Sequence, residues 1–399
     1  MERKDDFSRR RELGFTSTAL MILHLFKESV AFNLVKVLPK VGCRKVSESA
    51  FTQARYKIKW EFFRQLTKLL HSHYLNGARK LWKGMTVIGV DGSTISLRNT
   101  KEIREKFGVF IQTDTGITRI LARVILFYDV LNNYVFEGTL TPLSIGEQQL
   151  VEQSSQGHAP SGKKIYAYDR GFGSRQFIQT LVEKGGFFCV RMSLNAKIIK
   201  EFAQGQTNDW VGDWYITGKN REKAKLNGRE VKLFKIRLIK ITLSSGETEV
   251  LATNLFDQQT FTVEDMGELY HKRWGVEEGF KKLKAYIKIE HFGCGKVAGV
   301  YQEFHTHLFY MNLISILGME AQLEVEQKCK NRRYAYQYNW KNAYRFVREY
   351  IVDIIWGYKR RDRLLDHIIE LISSSVTAII PGRKFGREPM KGKRSFIYK

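Results

Sequence analysis

An α/β fold flanked by helical regions is predicted from three features of the sequence. Short β-branched runs and helical stretches follow one another in the order β-β-β-α-β-α-β between about residues 85 and 192. Apolar residues recur at helical spacing on both sides of this segment, from about residue 16 to 80 and again from residue 261. Hydrophobic residues make up 43% of the 399 residues, so the chain can bury a sizeable core.

The same patterns divide the chain into four regions. We expect a helical N-terminal region at residues 1–84 and an α/β domain built from residues 85–192 and 256–320. Between them the alternation of helix and strand stops, and residues 234–239 follow the period of two that is typical of a strand. Residues 193–255 are therefore predicted to be a β-rich insertion, and residues 321–399 a helical, basic C-terminal region.

The net charge indicates an anionic partner. Lys and Arg number 66 against 41 Asp and Glu, a formal balance of +25, for which nucleic acid is the natural counterpart. We therefore expect the N-terminal region to bind DNA through residues such as Arg55, and the basic tail to do so through Arg383 and Lys384. The alternatives are a solvated helical face for Arg55 and a disordered, solubilising end for the tail.

Three further features predict a cytoplasmic protein that does not enter a membrane. The four cysteines lie far apart and form no Cys-x-x-Cys pair, which is unlike a zinc ribbon or a disulfide framework. The N-terminus is charged, unlike a secretory signal. Residues 20–38, the most apolar segment, contain four charged or titratable side chains and suit an amphipathic helix better than a membrane span.

Two aspartates stand at the ends of predicted strands. Asp91 and Asp169 each end a short apolar run, and glycine follows each of them within two residues. Carboxyl ends of strands commonly hold functional sites. Two aspartates and a third carboxylate can hold a pair of divalent cations that act on a phosphodiester. The alternative is that each aspartate only forms a turn.

A third carboxylate is predicted from the helical segment at residues 261–286. At about 100° per residue, four polar side chains of this segment fall on one narrow face: Tyr270, Arg273, Glu277 and Lys284. Glu277 can complete a metal site, while Arg273 and Lys284 can hold phosphates, and Tyr270 can donate to another. The alternative is an ordinary amphipathic helix with an internal salt bridge between Arg273 and Glu277.

The spacing Tyr-x2-Arg-x3-Glu-x6-Lys, present at residues 270–284, resembles the signature of bacterial insertion-sequence transposases of family four. Asp91 in Val-Asp-Gly-Ser and Asp169 in Tyr-Asp-Arg-Gly-Phe resemble the first two acidic motifs of that group. The resemblance covers about residues 87–284. It implies a ribonuclease H-like catalytic domain, with a mixed sheet and flanking helices, in which Asp91, Asp169 and Glu277 are the catalytic metal ligands.

The resemblance also implies an activity and its partners. We expect strand cleavage at transposon ends and strand transfer into target DNA by a cut-and-paste route, with two Mg²⁺ or Mn²⁺ ions. The partners would be double-stranded DNA and a second copy of the chain in a synaptic homodimer, associated with the bacterial nucleoid.

Some relatives pass through a hairpinned DNA end, with a tryptophan of the insertion stacked on a flipped base. Trp210 and Trp214 are the candidates in this chain. The alternative is that both are core residues of a small β layer. Trp274 is predicted to pack against the catalytic core.

Two other functions fit the same residues. A stand-alone ribonuclease H-like nuclease would cut DNA but never join it. A non-catalytic DNA-binding derivative of a transposase would do neither, but the presence of all three carboxylates speaks against it.

Overall fold

The computed structural model describes residues 1–3, 5–9, 11–24, 28–111, 118–154, 163–214, 222, 232–243, 245–357 and 360–382. Arg383 and Lys384 lie outside these ranges. The chain divides into two compact units. The first comprises Met1–Arg79, Ile95–Ala122 and Lys281–Lys399, and the second comprises Lys80–Thr94 and Arg123–Phe280.

The described residues form helices and strands in mixed order. The helices are α1 (Phe15–His24), α2 (Val30–Val37), α3 (Glu48–Arg55), α4 (Glu61–Asn76), α5 (Lys101–Phe107), α6 (Glu147–Gln153), α7 (Arg175–Lys184), α8 (Lys197–Gln204), α9 (Val263–Lys272), α10 (Gly275–Lys281), α11 (Val297–Lys328), α12 (Trp340–Trp356) and α13 (Arg361–Ser374). The strands are β1 (Thr86–Leu97), β2 (Phe110–Ile111), β3 (Thr118–Asp129), β4 (Tyr134–Pro142), β5 (Lys164–Tyr168), β6 (Phe187–Arg191), β7 (Asp209–Trp214), β8 (Phe234–Thr242), β9 (Thr248–Thr253), β10 (Ala335–Tyr338) and β11 (Val376–Ile379).

A mixed sheet forms the second unit. Its strand order is β2-β3-β1-β5-β6-β9-β8-β7, and β4 also pairs with β3. Strands β1, β5 and β6 are parallel to one another, whereas β6, β9, β8 and β7 are joined by antiparallel pairings. In the parallel part, Val90 of β1 stands opposite Tyr168 of β5. Asp91, which is still within β1, and Asp169, the residue after β5, therefore lie side by side where the pairing of these two strands stops.

Helices cover both faces of this sheet because consecutive strand residues, which point to opposite faces, are apolar. On one face, Ile88 and Tyr166 pack in a core with Phe177 and Ile178 of α7. On the other, Val87 and Ile165 pack in a core with residues of α9, among them Met266 and Leu269. Burying each large aliphatic or aromatic side chain contributes about 1.5–3 kcal/mol. These two cores fix the strand ends against helices on either side.

The predicted β-rich insertion lies in the same sheet. Strand β9 pairs with β6, with Cys189 opposite Thr253, and β8 and β7 follow it outward. Arg237 of β8 is fully buried and forms a salt bridge of 2.7 Å with Asp209 of β7. Strands β7, β8 and β9 therefore extend the α/β sheet, because the edge of β6 offers its backbone groups to β9.

The first unit is largely helical. Helix α11 is its longest helix and packs against α4, α12 and α13, while α1 packs against α2, α3 and α12. Strands β10 and β11 form an antiparallel pair, with Ala335 opposite Ile379. The helical regions at the two ends of the chain, which were predicted as separate, thus share one unit with α11. None of the helices in the described ranges is long and apolar enough to cross a membrane.

Candidate active site

Asp91 and Asp169 are adjacent where the pairing between β1 and β5 stops. Asp169 follows the last residue of β5, as predicted, but Asp91 lies within β1, which continues to Leu97, so the prediction that Asp91 ends a strand is wrong. Each carboxylate accepts a hydrogen bond from a nearby backbone N–H: that of Gly92 to Asp91 Oδ1 and that of Gly171 to Asp169 Oδ1, both at 2.8 Å. Asp169 also caps the short 3-10 turn Arg170–Phe172. The turn-forming role and a role in a site therefore coexist, since each aspartate has a second carboxylate oxygen.

The electrostatic environment of Asp91 disfavours its charged form. Burial raises the pKa of Asp91 from 3.8 to about 6, and the hydrogen bond from Gly92 opposes this rise. The neighbouring Asp169 carboxylate contributes to the same rise in pKa, whereas the Arg273 guanidinium opposes it. Two like charges held together at a strand edge are typical of sites that bind cations.

The helical segment that carries Glu277 is broken at Arg273 and Trp274. Helix α9 ends at Lys272 and α10 begins at Gly275. Between them, successive hydrogen bonds span three residues, among them Trp274 N–H to the His271 carbonyl (3.3 Å) and Glu277 N–H to the Trp274 carbonyl (3.0 Å). The prediction of one continuous helix over residues 261–286 is therefore wrong, and a projection at 100° per residue does not hold across this turn.

Close packing of α10 on the sheet accounts for the break. A Cβ atom on Gly275 would lie 2.8 Å from Val130 Cβ, and one on Gly89 of β1 would lie 3.1 Å from Val276 Cβ. Helix and strand therefore approach each other at distances that only glycine allows. This contact brings the start of α10, and with it Glu277, to the strand that contains Asp91.

Arg273 is buried between the carboxylates of this region. Its residue exposure is 4%. Its Nη1 atom lies 4.0 Å from Asp91 Oδ2 and its Nη2 atom lies 3.6 Å from Glu277 Oε1. Both distances are longer than a hydrogen bond, and Nε has no hydrogen-bond partner among the described residues. A buried guanidinium with unused donors is suited to bind an anion.

Glu277 faces the same guanidinium as Asp91, but its side chain is 43% exposed. Within the described part of the chain, no three His, Cys, Asp or Glu side chains are grouped closely enough to hold a metal ion. Carboxylate oxygens are the donors that Mg²⁺ and Mn²⁺ prefer. The donor chemistry at Asp91, Asp169 and Glu277 thus fits these ions, although the three side chains are not gathered into a finished site.

Tyr270 and Lys284 occupy different surroundings from Arg273. Tyr270 is 3% exposed and lies in the core beside α9 residues, and burial raises the pKa of its hydroxyl well above the usual range. That hydroxyl has no hydrogen-bond partner in the described ranges. Lys284 belongs to the π-helical turn Lys282–Tyr286, which lies in the first unit. The four predicted signature residues therefore do not share one regular α-helical face, because the turn at Arg273 and Trp274 and the π-helical turn Lys282–Tyr286 interrupt the α-helical period.

Two residues near the carboxylates, Glu147 and Arg123, were missed by the sequence analysis, and the prediction for a third, Trp274, was wrong. The Glu147 carboxylate, at the start of α6, lies against Gly92, and Arg123 lies 3.6 Å from it. Trp274, predicted to be packed, is 47% exposed, and its ring lies against the Arg273 guanidinium at 5.0 Å. Nothing in the sequence distinguishes Glu147 from any acid in the first turn of a helix.

The predicted DNA contacts have mixed outcomes. Trp214 is 3% exposed, with the Arg175 guanidinium over its ring at 4.9 Å, so it is a core residue and cannot stack on a base without rearrangement. Trp210 is half-buried and packs on the same core. Arg55 is also buried, because it forms a 3.0 Å salt bridge with Glu303 inside the first unit. Its burial speaks against a contact with DNA, and Arg383 and Lys384 lie outside the described residues.

Comparison with known families identifies the fold's relatives. The sequence model described as the transposase DDE domain matches residues 82–313, which is more than half of the chain. The chain belongs to this family. Asp91, Asp169 and Glu277 of this transposase all lie inside the matched region.

Comparisons with curated proteins and with solved structures show less similarity. No curated protein matches the transposase. Among solved structures, a similar one is the cryo-EM structure of the piggyBac transposase synaptic complex with hairpin DNA. The two chains are 11% identical, with a TM-score of 0.44, and the similarity covers 93% of this chain and 77% of that chain.

Proposed function

We propose that this transposase cleaves DNA strands at transposon ends and transfers the freed 3′-hydroxyl into target DNA by a cut-and-paste route. The observation that carries the proposal is the environment of Arg273. Its buried guanidinium faces Asp91 and Glu277 without forming a hydrogen bond to either. A phosphodiester placed beside these carboxylates would satisfy its free donors.

Asp91, Asp169 and Glu277 are the proposed ligands of two Mg²⁺ or Mn²⁺ ions. The first two are already adjacent, and the half-exposed Glu277 side chain is free to rotate toward them. When bound, such ions activate the attacking oxygen and stabilise the leaving oxygen of a phosphodiester. Family membership supports this assignment because DDE transposases generally use divalent metal ions.

The surrounding residues would hold the DNA. Arg273 would bind the phosphate next to the scissile bond as a two-pronged donor. The exposed ring of Trp274 offers a flat surface for a base beside the carboxylates. Lys284 and Tyr270, which complete the signature spacing, are proposed contacts of the transposon end, and Trp210 remains the candidate of the β7–β9 segment for stacking on a base.

Several finer features belong to the same proposal. They are membership of insertion-sequence family four, a ribonuclease H-like arrangement of the sheet, a homodimer that pairs two transposon ends, and association with the bacterial nucleoid. The net charge of +25 supports binding to double-stranded DNA both at the ends and at the target.

A cleavage assay tests the catalytic assignment. The substrate is a labelled duplex that carries the DNA flanking the gene, incubated with the purified protein and Mg²⁺ or Mn²⁺. We expect Asp91→Asn, Asp169→Asn and Glu277→Gln each to lower cleavage by at least a thousandfold while leaving the affinity for DNA nearly unchanged. Asp213→Asn, at an exposed position of β7, is the matched control and should cut like the unsubstituted protein. Substantial cutting by Asp91→Asn would refute the assignment.

A second assay separates a transposase reaction from simple hydrolysis. A pre-cut transposon end with a free 3′-hydroxyl is incubated with a supercoiled plasmid. Joined products are expected from a transposase and absent from a nuclease. Denaturing gels of the cleaved ends show whether one strand is closed into a hairpin, since a hairpin migrates as a molecule of twice the strand length.

A further inference from the structure

A fourth carboxylate lies beside the two aspartates. Glu147 is the first residue of α6, and its side chain covers the backbone of Gly92, the residue after Asp91. A Cβ atom on Gly92 would lie 2.4 Å from Glu147 Oε1 and 2.5 Å from its Cδ. Only glycine at position 92 leaves room for the Glu147 carboxylate in this place.

The start of α6 is anchored to the loop that follows Asp169. The Gln148 side chain donates a hydrogen bond to the Gly171 carbonyl at 2.9 Å and accepts one from Ser174 Oγ at 3.0 Å. Gly171 lies within the 3-10 turn that follows Asp169, and Ser174 caps the next helix, α7. These two hydrogen bonds hold the start of α6, and with it Glu147, beside the loop that follows Asp169.

Arg123 of β3 holds the Glu147 side chain from the other side. Its Nε atom lies 3.6 Å from Glu147 Oε1, and its Nη1 atom donates a hydrogen bond to the Ile145 carbonyl. The side chains of Arg123 and Glu147 are 21% and 37% exposed. The pair is thus partly shielded from water, and the Arg123 contact involves Oε1 of the Glu147 carboxylate.

The charges of this region favour a divalent cation. Glu147 interacts electrostatically with both Asp91 and Asp169, so three negative charges share one edge of the sheet. The two nearby guanidinium groups, those of Arg123 and Arg273, lie 3.6–4.0 Å from their carboxylates and form only weak pairs. The buried Arg273, with its unpartnered Nε, is a separate indication that this place binds a ligand.

We infer that Glu147 is a positioning residue of the metal centre, which strengthens the binding of a divalent cation at Asp91 and Asp169 and is itself held by Arg123. This inference rests on the proposed metal-dependent function. Acidic neighbours of metal ligands typically change metal affinity by about 10–100-fold. Glu147 would act through its negative charge, either directly or through a bound water. A bound water is available because Mg²⁺ usually keeps several waters when one or two carboxylates bind it.

Calorimetric titration of the full-length protein with Mn²⁺ tests the inference. Glu147→Gln keeps the shape of the side chain and removes its charge, so we expect Mn²⁺ to bind about tenfold more weakly. The thermal unfolding midpoint in EDTA should not fall. Glu201→Gln, on exposed α8 where Glu201 lies 3.8 Å from Lys197, is the matched control and should bind Mn²⁺ normally.

Gly92→Ala gives an independent test of the geometry. Its methyl group would displace the Glu147 carboxylate, so it should weaken Mn²⁺ binding as Glu147→Gln does. The double variant should be no weaker than either single variant, because both changes remove the same interaction. In cleavage assays, Glu147→Gln should need about tenfold more Mn²⁺ for half-maximal rate, with little change in the rate at saturation.

The outcomes separate this inference from the proposed function. If Asp91→Asn abolishes Mn²⁺ binding while Glu147→Gln binds within twofold of the unsubstituted protein, only the role of Glu147 is overturned. Additive losses in the Gly92→Ala and Glu147→Gln double variant would also overturn it. If the unsubstituted protein binds no Mn²⁺ and cleaves without it, both proposals fail.

Discussion

Asp91→Asn should make the metal-free protein more stable while it abolishes cleavage. The carboxylate is charged at neutral pH although its side chain is only 20% exposed and stands near Asp169. Asparagine keeps an oxygen that can accept the hydrogen bond from the Gly92 N–H, so the local backbone need not change. The substitution therefore removes an unfavourable charge and leaves the packing intact.

The size of the effect follows from the pKa of Asp91. Burial raises this pKa from 3.8 to about 6. Because the folded protein holds the proton more tightly than the unfolded chain, this group lowers stability progressively as the pH rises from about 4 to 6. At about 1.4 kcal/mol for each tenfold change in proton affinity, the charged form lowers the free energy of unfolding by about 3 kcal/mol at pH 7.5 and by about half of that at pH 5.

Thermal unfolding in EDTA measures the effect. Asp91→Asn should raise the unfolding midpoint at pH 7.5 on the order of 5–10 °C, and by less at pH 5. Asp213→Asn is the control, because Asp213 is exposed on β7. A midpoint within one degree of the unsubstituted protein at pH 7.5, or a gain that is larger at pH 5, would refute the reasoning.

Three other substitutions test separate parts of the structure. Gly275→Ala places a methyl group 2.8 Å from Val130 Cβ, so α10 must shift. We expect the free energy of unfolding in denaturant to fall by about 1–3 kcal/mol and cleavage to be strongly reduced. Normal activity would contradict the close packing. Trp274→Ala should change stability by less than about 1 kcal/mol but weaken DNA binding by about 1–3 kcal/mol in a gel-shift titration, since the ring is 47% exposed. Arg55→Met breaks the buried salt bridge with Glu303. It should lower the free energy of unfolding by about 3–5 kcal/mol without altering the DNA affinity of the folded protein. A loss of DNA binding without a loss of stability would instead show that Arg55 contacts DNA.

The parallel strands and their helices were predictable from local patterns. Helices α6 and α7 alternate with β4, β5 and β6 as in the predicted element order, and the Ser174 side chain caps α7. Such features depend on short-range spacing and on side chains that bond their own backbone. The adjacency of Asp91 and Asp169 was also predictable, since both follow apolar strands of the kind that pair in parallel.

The arrangement around Glu277 was not predictable in the same way. The helical period indicated one long helix, but contacts of Gly275 and Gly89 with the opposite element decide where α9 ends and α10 begins. Such contacts join residues that are far apart in sequence. Periodicity carries no information about them, because it reports only which residues of one segment share a face.

The burial of individual side chains shows the same limit. Trp214 and Arg55 carry groups that suit nucleic acid, but the first is packed in the sheet core and the second is paired with Glu303. Glu147 had no distinguishing sequence feature, yet the structure places it against Gly92. Residue type therefore indicates which ligands a side chain can bind, but it does not indicate whether the side chain is buried or exposed.

The sequence by itself determined the α/β class and the end of β5 that carries Asp169, and it singled out Asp91 and Glu277 by motif and spacing. These depend on local propensity, period and spacing, which are properties of short segments. Only the tertiary structure decided that Arg273 is buried beside two carboxylates and that Glu147 joins Asp91 and Asp169. The physical reason is that burial, close approach and electrostatic coupling arise between segments, and they exist only after the helices have packed on the sheet.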